Sequence, residues 1–227
     1  MKNRRFVTWG LACIPLIIVL LVLPALPDTI PAHFDIAGNV NRFGSKYELL
    51  ILPIVTIAMG LFWLLMEKIA LKDTGRGQQN AKALFWSNIV MTLTFMILTI
   101  WFLSLAYNRA ENIYQNGFDF MKLLAVVLSL GWVIIGNLLP KCKQNALIGI
   151  RTKWTLASET VWYKTHRWGG RLIFVTGIIS AVLCLLVFDG MLSLFVSVGC
   201  LVIVVIPIIL YSYRAYKKLE ENGNPAR

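Results

Sequence analysis

Two histidines and four cysteines are the residues of this sequence with the most chemistry to offer. His33 stands two residues before Asp35, and the pair could face one metal ion. A metal site needs more ligands than two, so hydrogen bonding within the loop is the expected role. His166 lies far along the chain, in a segment that charge places on the opposite side of a membrane, so the two histidines share neither a metal nor a triad. Neither HEXXH nor GxSxG occurs. Cys13, Cys142, Cys184 and Cys200 form no CxxC and no Cys/His cluster, so neither a disulfide framework nor a zinc site is supported. Read from its residues, the chain has no catalytic, cofactor-binding or metal constellation, and the expectation is a protein that is not an enzyme.

The elements that would have to position any site are membrane helices. Hydrophobic residues make up 58% of the 227-residue chain, with a mean hydropathy of +0.70. A soluble domain is about 45–50% apolar, and here the excess is gathered into blocks. The first runs uncharged from Phe6 to Leu26, and roughly 20 apolar residues cross a bilayer core. Others follow at Leu49–Met66, Ala83–Ala106, Phe120–Leu139, Leu172–Phe188 and Met191–Tyr213. Unpaired backbone is too costly in lipid, so each block is expected to be a helix. The prolines after the first block fit a signal-peptide cleavage site poorly, and it is read as a retained helix. Four of the 22 basic residues, Arg42, Lys46, Arg109 and Lys122, fall on one side of this plan and the other 18 on the opposite side. The positive-inside rule therefore puts both termini in the cytoplasm. The same distribution accounts for the net charge of +11 without nucleic acid as a partner. The fold class is thus all-α, with six transmembrane helices, N-in and C-in, in a single polytopic domain. Residues 6–107 form an N-terminal three-helix part and 108–227 a C-terminal part.

The helix cores hold almost no ionisable group, which argues against a pump. Asn88 and Asn137 are expected to make interhelical hydrogen bonds rather than a substrate site. Function is left to two loops. The outer loop, 27–48, opens with Pro27 and Pro31, which stiffen the exit from helix one. Gly38-Asn39 is a turn signal between Phe34, Ile36, Val40 and Phe43, so a short hairpin is plausible; it is either a cap over helix ends or a binding surface. In the inner loop, 140–171, Ser158 can cap a helix with Glu159 in its first turn. Val161, Trp162, Thr165 and Trp168 then share one face, flanked by Lys164 and Arg167, and Gly169-Gly170 allows a break. That describes a short amphipathic helix in the inner interface before helix five, facing anionic lipid. A topology anchor and a docking site are both consistent with it.

These two loops carry a resemblance. The inner stretch IGIRTKWTLASETVWYKTHRWGG, Ile148 to Gly170, resembles the signature of the SdpI family of bacterial immunity proteins, G-[IL]-R-T-x-W-T-L-x-x-E-x-V-W. The outer stretch Leu26 to Lys46 resembles the short domain of unknown function found ahead of it in many members, LPxxIPxHF/W…G…K. Lys153 stands where many members have proline, which leaves partner specificity less transferable than family. The resemblance implies a protein that protects its cell from a secreted membrane-active toxin. It also implies that some members sense the toxin and hold a cytoplasmic repressor at the membrane. On that reading the toxin-facing residues are Pro31, His33, Phe34, Asp35, Gly38, Phe43 and Lys46. The inner docking or interfacial residues are Arg151, Trp154, Thr155, Glu159, Trp162, Arg167 and Trp168. No cofactor is implied, and a homo-oligomer is left open. A small transporter or permease, or a regulatory subunit of another membrane machine, is the alternative reading.

Overall fold

The computed structural model describes residues 2–35, 37–73, 75–114 and 119–222, without the side chains of Lys2 and Asn3. Ile36, expected in the hairpin, lies outside them. Seven helices and one hairpin follow in the order α1 (Lys2–Val22), β1 (Thr29–Phe34), β2 (Val40–Ser45), α2 (Ile51–Ala70), α3 (Gly77–Tyr107), α4 (Phe120–Leu138), α5 (Lys153–Ala157), α6 (Glu159–Leu186) and α7 (Gly190–Glu221). Six of these helices are long and apolar enough to cross a membrane. The chain is a multi-pass protein of the cell membrane.

Several helices outrun their apolar blocks. At 1.5 Å rise per residue, the 28 residues of α6 extend about 42 Å, well beyond a hydrocarbon core of about 30 Å. Its first turns, and the last turns of α7, therefore stand in the interface on the side that carries both termini.

Packing divides the spans into two three-helix groups: α1, α2 and α3 pack on one another, as do α4, α6 and α7, and α3 against α4 joins them. The second group is tight because glycine lets backbones meet. A Cβ at Gly170 would lie 2.7 Å from the carbonyl oxygen of Gly136, and one at Gly177 would lie 2.9 Å from that of Ser129. Close approach through small residues is how membrane helices gain packing energy when lipid removes the hydrophobic drive. Gly169-Gly170 is accordingly not a break. α6 continues through it: the missing Cβ of Gly170 serves the crossing with α4, and that of Gly169 makes room for Ile150 and for Ile208 of α7.

Several polar side chains inside the bundle bond to one another. The Ser129 hydroxyl on α4 meets Ser180 of α6 at 2.8 Å and Ser197 of α7 at 2.9 Å, all three fully buried. The Asn88 amide of α3 donates to Thr8 of α1 at 3.4 Å, the interhelical bond expected of it. Asn137 does not do the same. It is exposed and accepts from Lys141, one turn along its own chain.

Candidate functional site

At the outer end, loop one folds into an antiparallel hairpin. The register slips at Ala32 on β1 and at Asn41 on β2, two irregularities that offset each other; bulges of this kind let a proline-bearing strand pair without a full ladder. Asp35 closes the tip: its carboxylate accepts from the Asn39 amide at 2.9 Å. Gly38, at φ +86°, presses against Ile113 and Tyr114, where a Cβ would collide. The tip is pinned to the α3–α4 connection by Val40 N–H donating to Glu111 O and Ile113 N–H donating to Gly38 O, at 3.0 and 2.7 Å. The Asn112 amide adds a bond to Asn39 at 2.7 Å. Two outer segments thus make one cap. Beside it, Asp119 caps α4 and accepts from the Gly190 amide, while Lys122 pairs with Asp189 at 2.7 Å.

The seven outer residues divide on this scaffold. Pro31 is buried, and Phe34 packs on the cluster around Trp101 and Phe120. Gly38 is buried in the docked tip. Lys46 pairs with Asp28 at 3.0 Å and its side chain is largely covered. His33 is exposed and bonds Asn41 at 2.6 Å. Phe43 stands out with 62% of its surface free, near Tyr47 with 61%. Arg42 grips Glu48 through two guanidinium bonds at 2.9 and 3.1 Å, and that carboxylate raises the Arg42 pKa further above its ordinary value.

At the opposite end the signature segment is a lock. Thr152 and Thr155 form a capping box that starts α5. The Gln144 amide reaches the carbonyls of Thr155 and Leu156, both at 2.9 Å. Trp162 donates its indole N–H to Cys142 O at 2.9 Å and stacks on His166 with centroids 3.9 Å apart. His166 Nε2 accepts the Ile150 N–H at 2.9 Å. Its other nitrogen, Nδ1, therefore carries the proton and donates to Trp162 O at 2.9 Å. Gly149, at φ +123°, lies against the His166 ring so closely that only glycine fits. Glu159 pairs with Arg76 from the α2–α3 connection, and Asn80 of α3 accepts the Lys143 amide at 3.0 Å. Burial under Trp162 pushes the Cys142 thiol up to about 11.

This corrects one expectation. A short helix does precede the fifth span, but it is α5. The segment from Ser158 to Trp168 is the first part of α6, and its Val161, Trp162 and Thr165 face the protein interior rather than lipid headgroups. The reason is Cys142–Ile150, a loop folded back over that face with its backbone groups bonded to it. Trp168 stacks on Tyr211 of α7, and Trp154 meets Tyr213 with the rings tilted at 53°. Arg151 and Arg167 remain exposed, with Lys153, Leu156, Tyr163 and Lys164. His166 was not singled out from sequence as part of this lock; its spacing of four from Trp162 was the available signal.

Between the two groups of helices, at the α3–α4 seam, lies an apolar cavity of about 500 Å³. Its walls include Trp63, Ser87, Leu128 and Trp132, and its end is closed by Ile148–Ile150 of the lock.

Two family models match the chain. One is the SdpI/YfhL protein family, over residues 141–212, which spans the lock, α5, α6 and most of α7. The other is a domain of unknown function, DUF1648, over residues 10–57, which takes in the latter part of α1, the hairpin and the start of α2. The immunity protein SdpI of Bacillus subtilis (strain 168) is 27% identical over 222 residues, 98% of this chain and 99% of that one. Residues 141–212 thus match the SdpI family, and the likeness to its immunity protein runs over nearly the whole chain. The chain also shares 56% identity with an uncharacterized protein of Archaeoglobus fulgidus, over 36 residues that cover 16% of the chain and 20% of that protein. No solved structure matches it significantly. The two family models divide along the two ends described above: one contains the outer hairpin, the other the inner lock.

Proposed function

We propose that this chain is an immunity protein that protects its cell from a secreted membrane-active toxin, which it meets through the outer cap. The likeness to the B. subtilis immunity protein over nearly the whole of both chains carries the reading. The cap supports it: Phe43, on the braced hairpin, and Tyr47, in the turn just after it, are both exposed. Exposed aromatics on a rigid support are common anchors in protein interfaces. The test is a toxin-sensitive strain that expresses the chain, challenged with culture supernatant of the organism the chain comes from. Survival is expected with the chain and killing without it; equal killing in both defeats the reading.

The finer part of the proposal is that the inner face holds a cytoplasmic repressor at the membrane once toxin is bound. Arg151, Lys153, Lys164 and Arg167 present a basic surface, with Leu156 and Tyr163 exposed among them. Arg offers a planar fork that Lys lacks. Arg151→Lys and Arg167→Lys together are expected to leave membrane abundance unchanged and to release a candidate repressor from the membrane fraction. Undiminished co-fractionation removes the inner face from this role.

A further inference from the structure

We propose that the α3–α4 seam binds one anionic phospholipid, with its phosphate among Lys82, Lys141 and Lys143 and an acyl chain in the apolar cavity. Two hollows meet there. The first is the cavity of about 500 Å³, within the usual range for ligand sites. The second, of about 340 Å³, is lined by the three lysines with Gln79 and Pro140. Ala83 and Leu138 belong to the walls of both, so the charged hollow leads onto the apolar one.

The charge is unbalanced. Among the described residues, no carboxylate lines either hollow. Lys141 reaches only the neutral Asn137, at 3.3 Å. Glu67 lines a neighbouring cleft together with Lys82, and there a second cation, Arg4, accompanies it. Three ammonium groups gathered around one pocket repel one another unless an anion sits between them. Asn80 anchors the backbone of Lys143, so part of this arrangement is fixed by the fold. Lys82 precedes the apolar block of α3 and Lys141 and Lys143 follow α4, so all three lie at ends of spans, where headgroups lie, and basic pockets between helices on the cytoplasmic side are suited to anionic headgroups. The apolar room behind them is at the depth of acyl chains. A headgroup alone leaves the cavity unexplained, and an apolar peptide leaves the lysines unexplained.

The purified full chain in detergent, followed by native mass spectrometry, tests this. Phosphatidylglycerol and phosphatidylcholine of matched chains are titrated separately. The wild type is expected to retain phosphatidylglycerol at about tenfold lower concentration than phosphatidylcholine, a difference of about 1.4 kcal/mol. Lys82→Gln, Lys141→Gln and Lys143→Gln combined are expected to erase that preference, and Ser87→Trp, which fills the cavity, to weaken both lipids. Glycerol 3-phosphate, a headgroup without chains, is expected not to displace the lipid. Equal retention of the two lipids by the wild type overturns the site, and so does an undiminished preference in the lysine variant. Displacement by glycerol 3-phosphate makes it a plain anion site, and unchanged binding by Ser87→Trp removes the chain from the cavity. If the triple variant does not fold, Lys141→Gln alone gives the same reading at smaller amplitude. No toxin enters this experiment, so its failure and that of the immunity reading are separate.

Discussion

Gly149 and His166 set the residue scale. Gly149 has a backbone conformation at φ +123° and a position against the His166 ring that both exclude a side chain. Gly149→Ala is therefore expected to cost about 1–3 kcal/mol of local strain and to free the inner loop. Faster trypsin cleavage at Arg151 and Lys153 in inside-out vesicles is the readout; an unaltered digestion rate refutes the lock. Cys142 reports the same packing. A thiol pushed up to about 11 by burial holds little thiolate at neutral pH, and thiolate is the reactive form. Cys142 is expected to react with maleimide far more slowly at pH 7.5 than a cysteine introduced at the exposed Ala157, with Gly149→Ala closing the gap. On the outer face, Phe43→Ala is expected to lower protection at unchanged membrane abundance, because Phe43 is exposed. Phe34→Ala is a poorer probe, since Phe34 packs on a buried cluster and its loss lowers stability as well.

At the scale of elements, the α4–α6 crossing depends on glycines more than on hydroxyls. Gly170→Leu forces side-chain atoms into the carbonyl of Gly136 and into Pro140. Overpacking of that kind costs typically about 1–3 kcal/mol, and here neither neighbour can yield without moving a helix. Ser129→Ala removes a three-way hydroxyl node, but interhelical hydrogen bonds in membranes average only about 0.6 kcal/mol. The expected order is a large fall in thermal stability in detergent for Gly170→Leu and a small one for Ser129→Ala. The reverse order places the energy of this crossing in its polar contacts.

For the whole molecule the question is orientation. The sequence plan assigns 18 of the 22 basic residues to the side of both termini, and the hairpin caps the other end. Asn41→Cys and Ala157→Cys are both at exposed positions. In a background without the native cysteines, an impermeant maleimide is expected to label position 41 in intact cells and position 157 only after lysis. Labelling of 157 in intact cells inverts the molecule and exchanges the faces assigned to toxin and repressor.

The number of spans and their order were legible in the residues alone. The reason is that lipid imposes one requirement on every crossing segment, an apolar run long enough to pair its own backbone. Turn chemistry at Gly38-Asn39 likewise made the hairpin plausible, because that signal is local. What a one-dimensional pattern could not decide was which neighbour covers an apolar face. Val161, Trp162 and Thr165 form a stripe that suits lipid and protein equally, and only the fold brings Cys142–Ile150 over it. Gly169-Gly170 reads as a break or as a close crossing with equal ease, until Gly136 of α4 is seen opposite. The docking of the hairpin on 111–113, and the meeting of Lys82 with Lys141 and Lys143, join segments far apart in the chain. Those contacts exist because two helix groups pack along the α3–α4 seam, and the tertiary structure alone decided them.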